Sequence, residues 1–411
     1  MDRGFFPLDE ELELLPGSLT PHGHENVVRL AGWMPFEKAA EIMGDMLGIQ
    51  VSKSRSRRYA EEAGAAHVEN QNEAVERIEK EVTVARPGSE KMQVSADGAM
   101  VPLLHGQWGE VRTLVIGEIQ PAVKKGQEWV VHTQKLSYFS RKMNAQEFGR
   151  LALVEIHRRG IENAKDVAAV MDGADWEQGF IDYHCPQATR ILDFPHAGEH
   201  ISPIGDYLYG ENTPEGKQWL SEKLHHLKHN GPTGILSEFR QLQAQQPDAQ
   251  VVSANLAYLE KRTAQMQYPT FQAQGFPIGS GIVESGNKLV VEARLKGSGM
   301  HWGDANVNSM LALRNILCSD RWKEEWPKIE NRLRQQASQQ RRKLHQSRTE
   351  QKMMITPKAL PLLSLPMVDV LSPSVTPENE QLSLTKKPKE NTWRKFKYGR
   401  SLYQRKDLPK N

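Results

Sequence analysis

Lys91-Met92-Gln93-Val94-Ser95-Ala96-Asp97-Gly98-Ala99-Met100-Val101-Pro102-Leu103-Leu104 is where the chain changes character. Residues 67–90, just before it, are polar and Glu-rich and read as a helix. From Lys91 apolar and polar side chains alternate, the period of a half-buried strand. Val111–Ile119 (VRTLVIGEI) and Trp129–Phe139 follow, rich in β-branched and aromatic residues. Three consecutive antiparallel strands are therefore expected, the first of them carrying Asp97.

Downstream the pattern shifts to helix and strand in turn. Asn144–Arg159 has Phe148, Leu151, Ala152 and Ile156 at helical spacing. Asp166–Met171 (DVAAVM) reads as a buried strand that ends at Asp172-Gly173. Thr189–Asp193 is a further strand, leading into Phe194-Pro195-His196. Residues 197–270 are helical and polar, broken near Gly210 and at Gly231-Pro232. Gly279-Ser280-Gly281 opens the last well-marked helix. The order is that of an α/β, RNase H-like mixed sheet with a helical insertion ahead of its final helix.

Upstream, residues 21–66 read as three short helices. His24–Met34 is the first; Pro35 stands at N1 of the second, which Gly48 ends. Ser52 is placed to cap the third, which opens Lys53-Ser54-Arg55-Ser56-Arg57-Arg58. This is the pattern of an all-α helix-turn-helix domain, whose second paired helix enters the DNA major groove. Lys53, Arg55, Arg57 and Arg58 would neutralise phosphates or contact guanine. Four cations at a helix start oppose the helix dipole, which weakens the reading of an ordinary hairpin with a charged face.

The 411 residues exceed one ordinary core. The expected organisation is 1–66 helix-turn-helix, 67–90 connector, 91–205 first part of the core, 206–275 insertion, 276–326 final helix and 327–411 tail. No run of about 18 apolar residues is present to span a bilayer. Met1-Asp2-Arg3-Gly4-Phe5-Phe6-Pro7 lacks the pattern of a signal peptide. Cys185 and Cys318, the two cysteines, exclude a disulfide framework and a four-cysteine zinc site. A cytoplasmic, nucleoid-associated protein is expected. Net charge is only +2, yet residues 321–411 hold 21 Lys and Arg against 9 Asp and Glu, and the rest 32 against 42. A basic tail behind an acidic body suits a nucleic-acid partner, and equally a solvated end. Its composition cannot bury enough apolar surface to fold alone.

Three carboxylates stand where this fold brings elements together. The first and fourth strands lie side by side in such a sheet, so Asp97 and Asp172 become neighbours across 75 residues of chain. Glu284, in the first turn of the last helix, projects across the end of the sheet, where the helix dipole favours its ionised form. Converging carboxylates hold a pair of Mg²⁺ ions (or Mn²⁺) roughly 3.5–4 Å apart in two-metal phosphoryl transfer. Singly, each Asp-Gly pair reads as a turn and the Glu as a dipole partner. The joint placement is what carries the inference.

Ser95-Ala96-Asp97-Gly98-Ala99, Val170-Met171-Asp172-Gly173-Ala174-Asp175-Trp176 and Gly279-Ser280-Gly281-Ile282-Val283-Glu284-Ser285 resemble the three catalytic blocks of bacterial DDE transposases. Val291-Glu292-Ala293-Arg294-Leu295-Lys296-Gly297-Ser298-Gly299-Met300-His301-Trp302 is similar to the block that marks the ISKra-type insertion-sequence family of the Mutator-like branch. Asp193-Phe194-Pro195-His196 resembles that family's DxxH motif. The resemblance runs from about residue 5 to 320. It implies an enzyme that cleaves and joins DNA strands, with Asp97, Asp172 and Glu284 as metal ligands and His196 supporting DNA or the active site, or else a satisfied structural histidine. It implies double-stranded DNA as partner, both the element's terminal inverted repeats and the target, bound by a homodimer or higher oligomer. Lys288 and Arg294 would touch phosphates, or Glu284, Lys288 and Glu292 form a salt-bridge ladder. Trp302 would stack on an unpaired base, or sit in the core. A Cys-x-x-Cys zinc ribbon is expected ahead of a segment like Gly4–Asp9.

Two other readings compete. One is a catalytically inactive or truncated transposase-derived DNA-binding regulator, which would have no physical need of three converging carboxylates. The other is an RNase H-like nuclease acting on branched DNA, which the insertion and the last block disfavour.

Overall fold

In the computed structural model, which describes residues 19–81, 84–126 and 128–355, three helices come first among the described residues. The first, α1 (Pro21–Trp33), is capped by Thr20, whose Oγ1 accepts from the Gly23 amide at 3.1 Å. In α2 (Phe36–Leu47), Pro35 is the N-cap, one position before the expected N1. The helix stops at Gly48, in the left-handed region at φ +65°, where amides of Gly48 and Ile49 turn back onto Gly44 and Met43 carbonyls. Ser52 Oγ then accepts from the Arg55 amide at 3.3 Å and starts α3 (Lys53–Glu81).

This third helix runs unbroken through residue 66 as far as Glu81. Its inner face, Ser56, Tyr59, Ala60, Ala63 and Ala66, is buried. Gly64 lies against the backbone of Ser309, with no room for a Cβ. The three helices share one apolar cluster with Ala99, Val101 and Val115 of the sheet and with Val290, Val291, Leu311 and Leu313, much further along the chain.

The stretch from Lys91 forms strand β1 (Lys91–Pro102), which hairpins back as β2 (Trp108–Ile119). A small ribbon of β3 (Val123–Lys125) and β4 (Glu128–Val130) intervenes before β5 (Thr133–Arg141) joins β2. The third expected strand is thus divided: Trp129 belongs to the ribbon, which turns at Gly126 with φ +66°, and the sheet strand begins at Thr133. After α4 (Ala145–Arg159) comes β6 (Asp166–Met171), parallel to β1. Helix α5 (Asp175–His184) leads to β7 (Thr189–Leu192), parallel to β6. The result is a five-stranded mixed sheet in the order β5-β2-β1-β6-β7. Its second face packs on α4 and α5 through Val94, Leu114, Ile116, Phe139, Phe148, Ile156 and Phe180.

Beyond β7 the chain is helical, as expected: α6 (Phe194–Tyr209), α7 (Pro214–Asn230), α8 (Thr233–Gln245), α9 (Gln250–Lys261) and α10 (Tyr268–Ala273). The breaks fall at Gly210 and Gly231, both at positive φ. These helices have their own apolar cluster, in which Phe239, Leu256 and Tyr268 meet Val170, Ile191 and Leu192 of the sheet's edge.

The closing helix, α11 (Gly281–Gly286), continues as a π-helix at Asn287–Glu292 and a last turn, Ala293–Leu295. Then follow α12 (Asp304–Cys318) and α13 (Trp322–Ile355). The tail expected from residue 327 therefore begins as helix. Trp322, Trp326, Ile329 and Leu333 recur at three- and four-residue intervals and are all buried, which ties that stretch to the core. The compact unit ends at Gln351. The rest of the expected tail, from residue 356, and the Gly4–Asp9 segment lie outside the described residues. Among the described residues no helix is long and apolar enough to cross a membrane.

Candidate active site

Strand register places the two aspartates. β1 and β6 run parallel with Val94 opposite Ala169. Asp97 is three residues beyond Val94 and Asp172 three beyond Ala169, so both arrive at the same height on adjacent chains. β6 has ended there, whereas β1 continues to Pro102 with β2 alone as neighbour. Asp97 is partly buried; its Oδ1 accepts from the Gly98 amide at 2.6 Å and its Oδ2 from Asn287 Nδ2 at 2.9 Å. Burial pushes its carboxyl above the ordinary value, and the negative charges of Asp172 and Glu284 add to the effect, against those two hydrogen bonds.

Asn287 explains how the closing helix is fixed over the sheet. It lies three residues after Glu284, on the same helical face, and reaches Asp97 across 190 residues of chain. Glu284 itself is exposed. The π-helix that follows leaves carbonyls turned out of the usual ladder. Buried Arg314, from α12, collects them: Nε donates to Val290 O at 3.2 Å and Nη2 to Leu289 O, while Nη1 reaches Gly32 O at 3.1 Å.

The Asp172 turn is held at nearly every polar atom. Asp172 Oδ1 accepts from the Ala174 amide at 2.8 Å. The Asp172 carbonyl accepts from Tyr258 Oη at 2.5 Å, and the Gly173 carbonyl from Arg262 Nε at 3.1 Å. The Gly173 amide donates to Glu177 Oε2 at 3.0 Å. Glu177 is fully buried and its Oε1 has no donor facing it. Burial, with the adjoining Asp172 carboxylate, pushes the Glu177 carboxyl up to about 10, so at neutral pH it is an uncharged acid that can donate to Asp172.

Asp193 closes the base of the helical stretch. Its Oδ2 caps α6 by accepting from the His196 amide at 3.1 Å, and its Oδ1 accepts from the Ser280 amide at 2.6 Å. The Phe194 amide also donates to Ile278 O at 2.9 Å. His196 is set back from the carboxylates: its Nδ1 lies 3.1 Å from Glu199, and its ring faces His200 and Tyr258. Tyr258 is its link to Asp172.

Other expected residues are distributed differently. Lys53, Arg55, Arg57 and Arg58 are exposed at the start of α3. Lys53 pairs with Glu37 at 3.3 Å, Arg57 with Glu61 and Arg58 with Glu62, each at 3.7 Å. Lys288 is exposed, and the π-turn takes it off the stripe of a regular ladder; Glu292 pairs instead with Lys296 at 2.7 Å. Arg294 is not a surface cation. It is buried, donates to Ala31 O at 2.9 Å and lies against Phe36 and Trp302, where burial pushes its guanidinium down to about 10. Trp302 takes the core alternative, its Nε1 donating to Leu295 O at 3.0 Å.

Asp97, Asp172 and Glu284 offer only oxygen donors, the set a hard divalent cation prefers. The raised carboxyl of Asp97, beside two further negative charges, is an environment a cation would relieve. Among the described residues, no three His, Cys, Asp or Glu side chains stand close enough to form a preassembled metal site. The geometry defines an α/β protein with one aspartate on β1, a second in the turn just past the adjacent parallel strand, and a helix-borne glutamate whose charge acts on Asp97. No protein-family model and no curated protein matches the chain.

Proposed function

We propose that this chain is a metal-dependent DNA strand-transfer enzyme, a DDE transposase on an RNase H-like core. The observation that carries the reading is the parallel register of β1 and β6, which brings Asp97 and the Asp172 turn, each three residues past the Val94–Ala169 pair, to equal height, with the Glu284 helix tied to Asp97 through Asn287. The strand order, three antiparallel strands followed by two parallel ones on the far side of β1, is compatible with an RNase H-like core and supports the reading.

In this reading Asp97, Asp172 and Glu284 would hold two Mg²⁺ or Mn²⁺ ions. Such ions supply charge neutralisation for the attacking and leaving oxygens of a phosphodiester. The protein's own contribution is placement. Asn287 holds one oxygen of Asp97, and the clamped Asp172 turn keeps the second carboxylate in register. Exposed Glu284 completes the set from the helix that Asp193 and Ser280 anchor. Double-stranded DNA, the element's ends and then its target, would lie along Lys53, Arg55, Arg57 and Arg58; the acid pairs of Lys53, Arg57 and Arg58 are weak surface pairs, readily exchanged for phosphates. A dimer or higher oligomer would bring two ends together.

The test is incubation of the full chain with duplexes carrying its element's ends, with and without Mg²⁺, followed by mapping of the cut strands. Metal-dependent nicks at the element boundary support the proposal. Tight binding of those ends without any cleavage would instead favour the DNA-binding regulator.

A further inference from the structure

The helical stretch 194–273 is attached to the sheet's edge by an apolar cluster, yet two of its polar side chains leave that cluster and end on the Asp172 turn. That turn, Asp172-Gly173-Ala174, belongs to neither β6 nor α5. Tyr258 donates to the Asp172 carbonyl at 2.5 Å. Arg262, one helical turn further, donates through Nε and Nη2 to the Gly173 carbonyl.

Both side chains are themselves immobilised. The Tyr258 ring is stacked on His200 with centroids 3.6 Å apart and planes 15° from parallel. On it lies the Arg262 guanidinium, 3.6 Å from the ring centroid. His200 is fixed in turn by Asn255 at 2.9 Å. Arg262 is buried, and a buried cation is retained only where its donors are met; Gly173 O and Tyr258 O meet them. The fit leaves no slack at residue 173. A Cβ there would stand 2.5 Å from Arg262 Nε and 2.9 Å from Tyr258 Oη, and φ is already +87°.

We propose that Tyr258 and Arg262 are positioning residues that set the direction of the Asp172 carboxylate, so that the helical insertion is part of the metal site's support. The proposal rests on the reading of Asp172 as a metal ligand. A hydrogen bond on a residue's own carbonyl restricts its ψ, and with Gly173 O held as well, the Asp172 Cα–Cβ bond has one direction. Metal ligands need placement to within about 0.5 Å, and residues that orient them typically contribute 10- to 100-fold in metal affinity, roughly. Core packing alone would ask for neither a hydroxyl nor a guanidinium at these two points.

The experiment compares wild type, Tyr258→Phe, Arg262→Lys and Asp172→Asn as full chains. Mn²⁺ binding is read by titration calorimetry, and exchange of the 172–174 amides by mass spectrometry. Tyr258→Phe removes one oxygen and keeps the stack, so its thermal midpoint should stay near wild type. Its Mn²⁺ affinity should fall about tenfold, with faster exchange at the turn, and cleavage should be restored at high Mg²⁺. Unchanged Mn²⁺ affinity in Tyr258→Phe, with Asp172→Asn abolishing binding, overturns the positioning role alone. If Asp172→Asn also binds Mn²⁺ as wild type does, Asp172 is no ligand and the underlying reading fails with it. Should Arg262→Lys not fold, Tyr258→Phe decides the matter.

Discussion

Asp193 Oδ1 accepts a 2.6 Å hydrogen bond from the Ser280 amide, joining the end of β7 to the start of the Glu284 helix across 87 residues. The other carboxylate oxygen caps α6 through the His196 amide. One buried side chain therefore closes both ends of the helical insertion. Asp193→Ala should remove a cap and orphan the buried Ser280 amide, a loss of about 2–4 kcal/mol together. Asp193→Asn, with a single acceptor oxygen, should lose about half as much. Urea unfolding of the two variants checks this; equal midpoints in wild type and Asp193→Ala would rule the latch out.

Asp172→Asn separates catalysis from binding. The amide has almost the carboxylate's shape and can still accept from the Ala174 amide, so folding should survive. It removes a formal charge that the proposed Mg²⁺ site would need. Strand cleavage should fall below detection while end-binding in gel shifts stays within about twofold, because phosphate contacts lie elsewhere. Cleavage at the wild-type rate would reduce Asp172 to a turn residue.

Much of this was legible in the residues because it depends on local period and local caps. The strand of Asp97, the stop at Gly48 and the cap at Ser52 each follow from a few neighbouring side chains. The meeting of Asp97 with Asp172 needed one further step, the strand order. Asn287 was within reach too, since it shares a helical face with Glu284. Glu177 was hidden, because a glutamate in a first helical turn ordinarily serves the dipole. Tyr258 and Arg262 carry no local signal at all: their partners are 86 and 89 residues away. Burial of Arg294 has no local signal either, because a cation in a helical pattern looks solvated until another element, here α1, covers it.

Acid should destabilise the fold through its buried histidines. Burial holds His67 at about 3 and His24 and His184 at about 4. These folded values are depressed, so the unfolded chain takes up protons first. Full stability is present above about pH 6.5 and is lost as pH falls from there toward 4 and 3. At pH 5 each group costs on the order of 2 kcal/mol. His67→Gln, which cannot protonate, should flatten the decline between pH 7 and 5. Parallel stability–pH curves for variant and wild type would show that His67 does not titrate with unfolding.

The proposed DNA reading by α3 would have a quantitative signature that a general loss of fold cannot imitate. Arg57 and Arg58 are exposed and sit in 3.7 Å pairs with Glu61 and Glu62 on their own helix. Such pairs are worth roughly 0.3–0.5 kcal/mol, so phosphates displace the acids at little cost. Each phosphate contact adds about 0.9 to the slope of log affinity against log salt. Changing Arg55, Arg57 and Arg58 to Ala together should therefore reduce the slope by up to about 3, with an unfolding midpoint close to wild type. Arg294→Ala is the contrasting variant. Its side chain is buried on Ala31 O between Phe36 and Trp302, so its removal should lower stability and leave the salt slope of the folded fraction unchanged. A slope that survives the triple change and drops with Arg294→Ala would move the DNA contact away from α3 and contradict the burial of Arg294.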